Sequence, residues 1–353
     1  MTPLPISGAE AEQRIAKVLW SVPLDGALAN RAPPTTTAGL ADFVRGMLAD
    51  PRATTGVSAF YRWWLWLGFL PGHDLDPTLF PEATPALMVD MAQETETFGV
   101  DVTLTLNGSF QTLMTAPFSF VNARLAAVYG LAGVAGDDLR RITLPPGRPG
   151  LLTRPAFLVL TSTNTRTSVV DRGRFVDMNF FCDDPPAPVP NEPPFPEPLP
   201  PGVTGSAAMK ALIDTGSPDQ PCHACHDLMD PIGDIFEIFD PIGRARTTDN
   251  GAPIDTSLAV VALSTPANAV VDGVSALVNL LANDPGAERC MAKKWLSFAI
   301  GRDLQPSDDP SVDQIVGAFA SSKFNLQALI TAVMVSPAFL DPSALAYAGP
   351  PQL

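Results

Sequence analysis

What this chain of 353 residues has little of narrows its chemistry before any motif does. It has only 4 cysteines and 3 histidines, which excludes a small disulfide-stapled scaffold and leaves few soft metal ligands. Basic side chains are scarce, 22 Lys and Arg against 37 Asp and Glu, for a net charge of -15. Nucleic acids and anionic membrane surfaces call for Lys/Arg patches, so that balance argues against both. It suits a soluble chain, or one that docks a basic partner. Long apolar runs are missing as well. The longest, residues 60–70, falls short of the roughly 18 apolar residues of a membrane span. No basic n-region leads into an apolar h-region at the start. Proline, by contrast, is plentiful at 38 residues, and 46% hydrophobic content supplies material for packed cores in two or three domains.

The scarce reactive residues are concentrated. Cys222-His223-Ala224-Cys225-His226 holds two of the cysteines and two of the histidines. Cys-x-x-Cys-His is the attachment pattern of a c-type haem. Two thiols three apart at the start of a helix can each add to a vinyl group of one porphyrin, and the next residue, His226, then becomes the proximal iron ligand. Two other chemistries use such thiols. A redox dithiol wants the pair after a strand in a βαβ setting, which this stretch lacks. A structural zinc wants a second pair of ligands, and no second Cys-x-x-Cys exists in the chain.

Around the pentad the pattern is mainly helical. Helices are expected over 8–49 with a turn at 23–34, over 84–101 and over 109–130 with a break at Ala116-Pro117. The tryptophans at 63, 64 and 66 read as core or interdomain packing, with the edge of a haem pocket as the sharper alternative. Glu94 and Glu96 read as a solvated helix face rather than an acid/base pair. Arg140 to Leu144 alternates like a short strand. Arg166, Arg172 and Arg174 form a basic cluster in an acidic chain, able to grip haem propionates or to pair with Asp and Glu. Residues 185–201 are dominated by proline and run extended as a strap. Asp230-Pro231 and Asp240-Pro241 read as turns. Helices follow over 271–283, 287–301, 312–320 and 326–335.

These segments together resemble bacterial proteins of unknown function found with planctomycete-type cytochromes, built from three consecutive uncharacterised domains. The first is carried by the Trp-rich segment, Leu79-Phe80-Pro81-Glu82, Glu94-Thr95-Glu96 and residues 120–126. The second is carried by residues 148–153, Arg166-Thr167-Ser168, Arg172-Gly173-Arg174, the strap, the pentad, Asp230-Pro231-Ile232-Gly233, Glu237, Phe239-Asp240 and Gly243-Arg244. The third is carried by Cys290, Ile300-Gly301-Arg302 and residues 335–339. The resemblance implies an exported, cytochrome-c-like protein and no established reaction.

The expectation is therefore a mainly α fold: an N-terminal helical domain (1–135), an Arg/Thr-rich connecting segment (136–184), a strap and short helix (185–221), a cytochrome-c-like haem domain (222–342) and a tail (343–353). One covalent haem c sits on Cys222, Cys225 and His226. The candidates for the ligand across the iron are His73, Met178, Met209 and Met291, or the position is open. In an oxidising compartment the leftover Cys182 and Cys290 are expected to pair, closing a loop of about 110 residues worth up to ~4.7 kcal/mol of chain entropy; two free thiols is the alternative. The leading function is one-electron transfer to a partner protein in the periplasm or outside the cell, with the export signal lying outside this sequence. A haem enzyme of peroxidase or oxygenase type, and a haem-bearing structural subunit of a larger electron-transfer complex, are the other two classes.

Overall fold

The computed structural model describes residues 4–183, 194–214, 221–256, 259–261 and 269–342. It is mainly helical, with α1 (Gly8–Trp20), α2 (Gly26–Ala29), α3 (Thr37–Leu48), α4 (Ala53–Trp64), α5 (Pro85–Val100), α6 (Phe110–Thr115), α7 (Ala123–Tyr129) and α8 (Pro155–Leu160) in the first half. The second half carries α9 (Val169–Val176), α10 (Gly205–Asp214), α11 (Pro221–Asp234), α12 (Gly273–Leu281), α13 (Pro285–Ile300), α14 (Asp309–Ser321) and α15 (Leu326–Met334). Strands are short antiparallel pairs: β1 (Phe118–Val121) with β2 (Arg140–Thr143), β3 (Thr248–Asp249) with β4 (Ala252–Pro253), and β5 (Ala259–Val261) with β6 (Ala269–Val271). The strand expected at 140–144 is present, and its partner β1 lies where the sequence pattern suggested continued helix. Most of the strap, and the tail, lie outside the described residues.

Two compact units form, and neither is contiguous. The first contains Met1–Trp66, Glu96–Leu113 and Glu288–Leu353; the second contains Leu67–Thr95 and Met114–Ala287. The boundaries expected at 135 and 221 do not separate these units, because the C-terminal helices pack with the N-terminal ones. In the first unit α1 packs on α3 and α4, and α15 packs on α3 and α14. The tryptophan segment is core there: Phe60 stacks on Trp295 with ring centroids 3.8 Å apart, and Phe298 meets Phe60 edge-on at 5.5 Å.

The second unit is held by a close crossing of α9 and α11. Ser168 caps α9, its hydroxyl accepting the Asp171 N–H at 3.2 Å. Gly173 of α9 lies against the main chain of α11, where a Cβ would run into the carbonyl of Met229. Gly233 of α11 returns the contact, and a Cβ there would strike the carbonyl of Val169. Both helices are therefore locked backbone to backbone. The α11 helix also runs through Pro231, where a turn was expected. A proline removes one N–H and clashes with the carbonyl four residues back; that carbonyl belongs to Asp227, an exposed residue, so water can take the acceptor and the helix continues to Asp234.

Gly173→Ala is expected to lower the unfolding free energy by about 3 kcal/mol, the upper range for forced overpacking. Gly46→Ala is the control: it lies inside α3 with nothing near the added methyl, so it should gain roughly 0.5–1 kcal/mol. Urea unfolding of the two variants checks both signs.

Candidate functional site

The pentad occupies the first turns of α11, whose helix starts at Pro221. Residues 222, 225 and 226 are related by i, i+3 and i+4, so the two thiols and the imidazole share one helical face. All three are half-buried. Cys222 and Cys225 are free thiols, while Cys182 and Cys290 are disulfide-bonded, as expected for the two cysteines outside the motif.

Each histidine of the pentad meets a carboxylate one turn on. His226 Nδ1 lies 3.0 and 3.1 Å from the two oxygens of Asp230, and both side chains are 17% exposed. His223 Nδ1 lies 3.2 Å from Asp227, whose side chain is 67% exposed. His226 also borders a cleft of about 230 Å³ between α11 and α10, with Val169 of α9 on its wall. From α11 the wall takes His226, Asp227, Asp230, Pro231 and Asp234; from α10 it takes Ser206, Lys210, Ile213 and Asp214. At 100° per residue, Asp234 and Pro231 stand on the far side of α11 from Cys225. His226 is the pentad residue that belongs to both the thiol face and the cleft. The volume is below the roughly 300–1,000 Å³ of pockets that enclose a small molecule. The cleft is a small open recess beside the imidazole rather than a cofactor pocket.

Its charge is strongly negative, four carboxylates against Lys210, which lies 3.9 Å from Asp214. Asp234 is the most deeply placed. Burial pushes its pKa up to about 6, the Ser206 hydroxyl pulls it down, and the nearby charges of Asp230 and Glu237 push it up further. Its Oδ1 is buried without a hydrogen-bond partner.

The arginine cluster does not face this cleft as a unit. Arg172, a candidate for propionate binding, is fully buried and committed elsewhere. It donates to Glu237 at 2.8 Å and to the Phe236 carbonyl at 2.6 Å. Glu237 also accepts from Thr167 at 2.6 Å and from Arg246 at 2.8 Å, and Arg246 reaches Asp249 at 2.7 Å. The Gly205 N–H at the start of α10 donates to the other oxygen of Asp249 at 2.7 Å. This chain of buried charges ties α9, the segment after α11, the β3 strand and α10 together. Arg172 cannot leave it for a propionate without breaking its buried ion pair with Glu237. Arg166 pairs with Glu197 at 2.8 Å and stacks 3.6 Å over Phe195, and Arg174 is exposed on α9.

The distal candidates are scattered. Met209 is half-buried on α10, next to Lys210, and is not among the residues of the cleft wall. Met178 is half-buried in the π-helical turn after α9. His73 makes a hydrogen bond with the backbone of Ser162 and feels the charge of Asp171. Asp171 is two residues along α9 from both Val169 and Gly173, which face α11, so His73 stands around the helix from the pentad. Burial lowers the His73 pKa. Met291 is buried within the first unit.

The paired carboxylates of α5 are a correction. Glu94 is wholly buried and accepts from Ser119 and from Tyr129 at 2.6 Å, with Arg154 at 3.9 Å. Burial raises its pKa against the pull of Arg154. Glu96 is buried too and is paired with Arg62 at 2.8 Å. Charge alone marked them as wet; the arginines that neutralise them lie 60 and 34 residues away in sequence, and no local pattern reveals such partners. The His226–Asp230 and His223–Asp227 pairs were within reach of sequence, since their i, i+4 spacing is a standing helix-face signal.

Among the described residues no group of three or more His, Cys, Asp or Glu is arranged to hold a metal ion. The donor set of the pentad, two thiols at helical spacing and an adjacent imidazole with Nδ1 beside a carboxylate, fits a covalently tethered haem.

The chain is similar over most of its length to three consecutive domain families associated with planctomycete cytochromes. Residues 6–131 match the family described as "Protein of unknown function (DUF1592)", residues 148–249 match "Protein of unknown function (DUF1588)", and residues 269–339 match "Protein of unknown function (DUF1585)". No curated protein and no solved structure matches the chain. The pentad falls within the middle match. No helix among the described residues is long and apolar enough to cross a membrane.

The raised pKa of Asp234 fixes the sign of one pH effect. Between pH 4 and 6 the folded state keeps a proton that the unfolded chain has released, so this group's contribution to stability falls as pH rises through that window. Asp234→Asn should raise stability at pH 8 by about 2 kcal/mol and leave it unchanged at pH 4, as read by thermal melts at the two pH values. Thiol titration of the haem-free protein should find two reactive groups, and four after reduction and unfolding.

Proposed function

We propose that this chain is an exported, cytochrome-c-like protein that carries one covalent haem and passes single electrons to a partner protein. The observation that supports it most is the common face of Cys222, Cys225 and His226 at the start of α11, with both thiols free. Cys222 and Cys225 would hold the haem by thioether bonds, and His226 would ligate its iron. The haem supplies a one-electron Fe(III)/Fe(II) couple when bound. The chain's own part is to fix the tether and ligand on a rigid helix, which the α9 crossing and the Arg172–Glu237 pair hold in place. The net charge of -15 favours a redox partner with a basic docking face. A covalent haem of this kind is attached outside the cytoplasm, which is the basis for assigning the protein to the periplasm or the exterior.

The arrangement of the distal candidates gives weight to a second reading. Met209 lies on α10, outside the residues of the cleft wall, and His73 stands around α9 from the pentad. A haem with an open position across from His226 would bind small ligands and act as an enzyme of peroxidase or oxygenase type. Rapid carbon monoxide binding to the reduced protein would favour that reading; a six-coordinate carrier would resist it. A haem-bearing subunit of a larger electron-transfer complex would co-purify with another cytochrome under native conditions.

Expression with c-haem maturation machinery, followed by a pyridine haemochrome spectrum, tests the core of the proposal. One haem per chain is expected, lost in the Cys222→Ala/Cys225→Ala double variant. A haem-free wild type would end it.

A further inference from the structure

The proposed haem tether uses the thiols and imidazole of the pentad; the cleft beside His226 lies outside it. His226 lines that cleft beside Asp230, and its Nδ1 lies 3.0 and 3.1 Å from the two oxygens of the Asp230 carboxylate. Both side chains are mostly shielded, 17% exposed each, and the contact lies at the wall of a chamber that also holds Asp234. One turn of helix fixes the pair, and the α9 crossing at Gly173 and Gly233 fixes the helix. A ring nitrogen held this way decides which nitrogen carries the proton, and therefore which is left for a metal. A carboxylate partner also makes the imidazole a stronger donor, and a stronger donor stabilises ferric over ferrous iron.

We infer that Asp230 is a positioning residue for His226: it holds the Nδ1–H tautomer, directs Nε2 to the iron, and makes the proposed haem a low-potential couple. This rests on the haem reading. It goes beyond that reading by naming the residue that sets the direction of electron flow. A low-potential centre gives its electron away; it is suited to donating one electron to a higher-potential acceptor, returning to Fe(III), after a single-electron reductant has delivered it.

The chain contains its own control. His223 and Asp227 repeat the same i, i+4 geometry at 3.2 Å, but Asp227 is exposed and its partner is not the proposed ligand. Asp227→Asn removes the same unit of charge from the same cleft wall without touching His226.

Mediated redox titration of the haem-loaded wild type, Asp230→Asn, Asp230→Glu and Asp227→Asn tests the assignment. Asp230→Asn should shift the ferric-to-ferrous ratio at fixed potential about tenfold toward ferrous, a rise of about 59 mV for a one-electron couple. Asp230→Glu should recover most of the wild-type value, and Asp227→Asn should move it by a small fraction of that. Equal shifts in Asp230→Asn and Asp227→Asn would reduce the effect to bulk charge and overturn the assignment, as would no shift. The haem-free protein provides a separate arm. Long-range proton–nitrogen NMR should show His226 protonated at Nδ1 in wild type, with the preference lost in Asp230→Leu; an Nε2–H wild type would overturn the assignment whatever the haem content. A wild type that shows the Nδ1–H tautomer but takes up no haem would sink the cytochrome reading, and the potential-setting role with it.

Discussion

The second unit depends on two helices brought to backbone contact. Gly173 and Gly233 remove the side chains that would keep α9 and α11 apart, and each lies against a carbonyl of the other helix. Interhelical distances are ordinarily set by side-chain size, at about 8–10 Å. Glycine at both points of closest approach takes that freedom away. One helix of the pair carries Arg172 on its buried side, and the other carries the pentad on its first turns. The geometry of the site is therefore fixed by main chain rather than by loops, and main chain responds little to changes in the surrounding side chains.

Charge is buried in this protein by neutralisation in small closed groups. Glu237 has three partners: Thr167 and Arg172, from the stretch that opens and forms α9, and Arg246, nine residues further along the chain. Glu94 sits in a comparable group with Ser119, Tyr129 and Arg154. Removing one member of such a group leaves an uncompensated charge in a medium that solvates it poorly, so the members are tied to one another far more tightly than exposed pairs are. The cleft beside His226 is built differently. There the carboxylates outnumber the single lysine, and Asp234 responds by holding its proton to higher pH.

Much of the local architecture was legible in the residues. Hydrophobic spacing located α1, α3, α5 and the C-terminal helices, and alternation located β2. The pentad announced its own face, since i, i+3 and i+4 positions coincide on any helix. The failures have a common origin. Glu94 and Glu96 looked wet, and Arg172 looked available, because their partners are remote in sequence. Pro231 looked like a turn, because the exposure of Asp227, one turn earlier on the helix, is a tertiary fact. The two units were hidden for the same reason: the stacking of Phe60 on Trp295 joins positions 235 residues apart, and nothing local records it. The disulfide-bonded state of Cys182 and Cys290 could be anticipated only by counting, with the other two cysteines assigned to the pentad.

That remote stacking also imposes an order in time. Synthesis proceeds at about 5–20 residues per second, and domains generally fold as units as they emerge. The segments of the second unit end at Ala287, so all of its residues exist before α14 and α15 are made. The first unit cannot complete its core until the partners of α1, α3 and α4 arrive, the last of them more than 300 residues after α1 begins. During that interval the N-terminal helices keep the apolar faces that α13 and α15 later cover, and closing so long a loop carries an entropic cost that grows with the logarithm of its length. The segments of the second unit, which carry Cys222 and Cys225, are thus all made before the first unit can close its core.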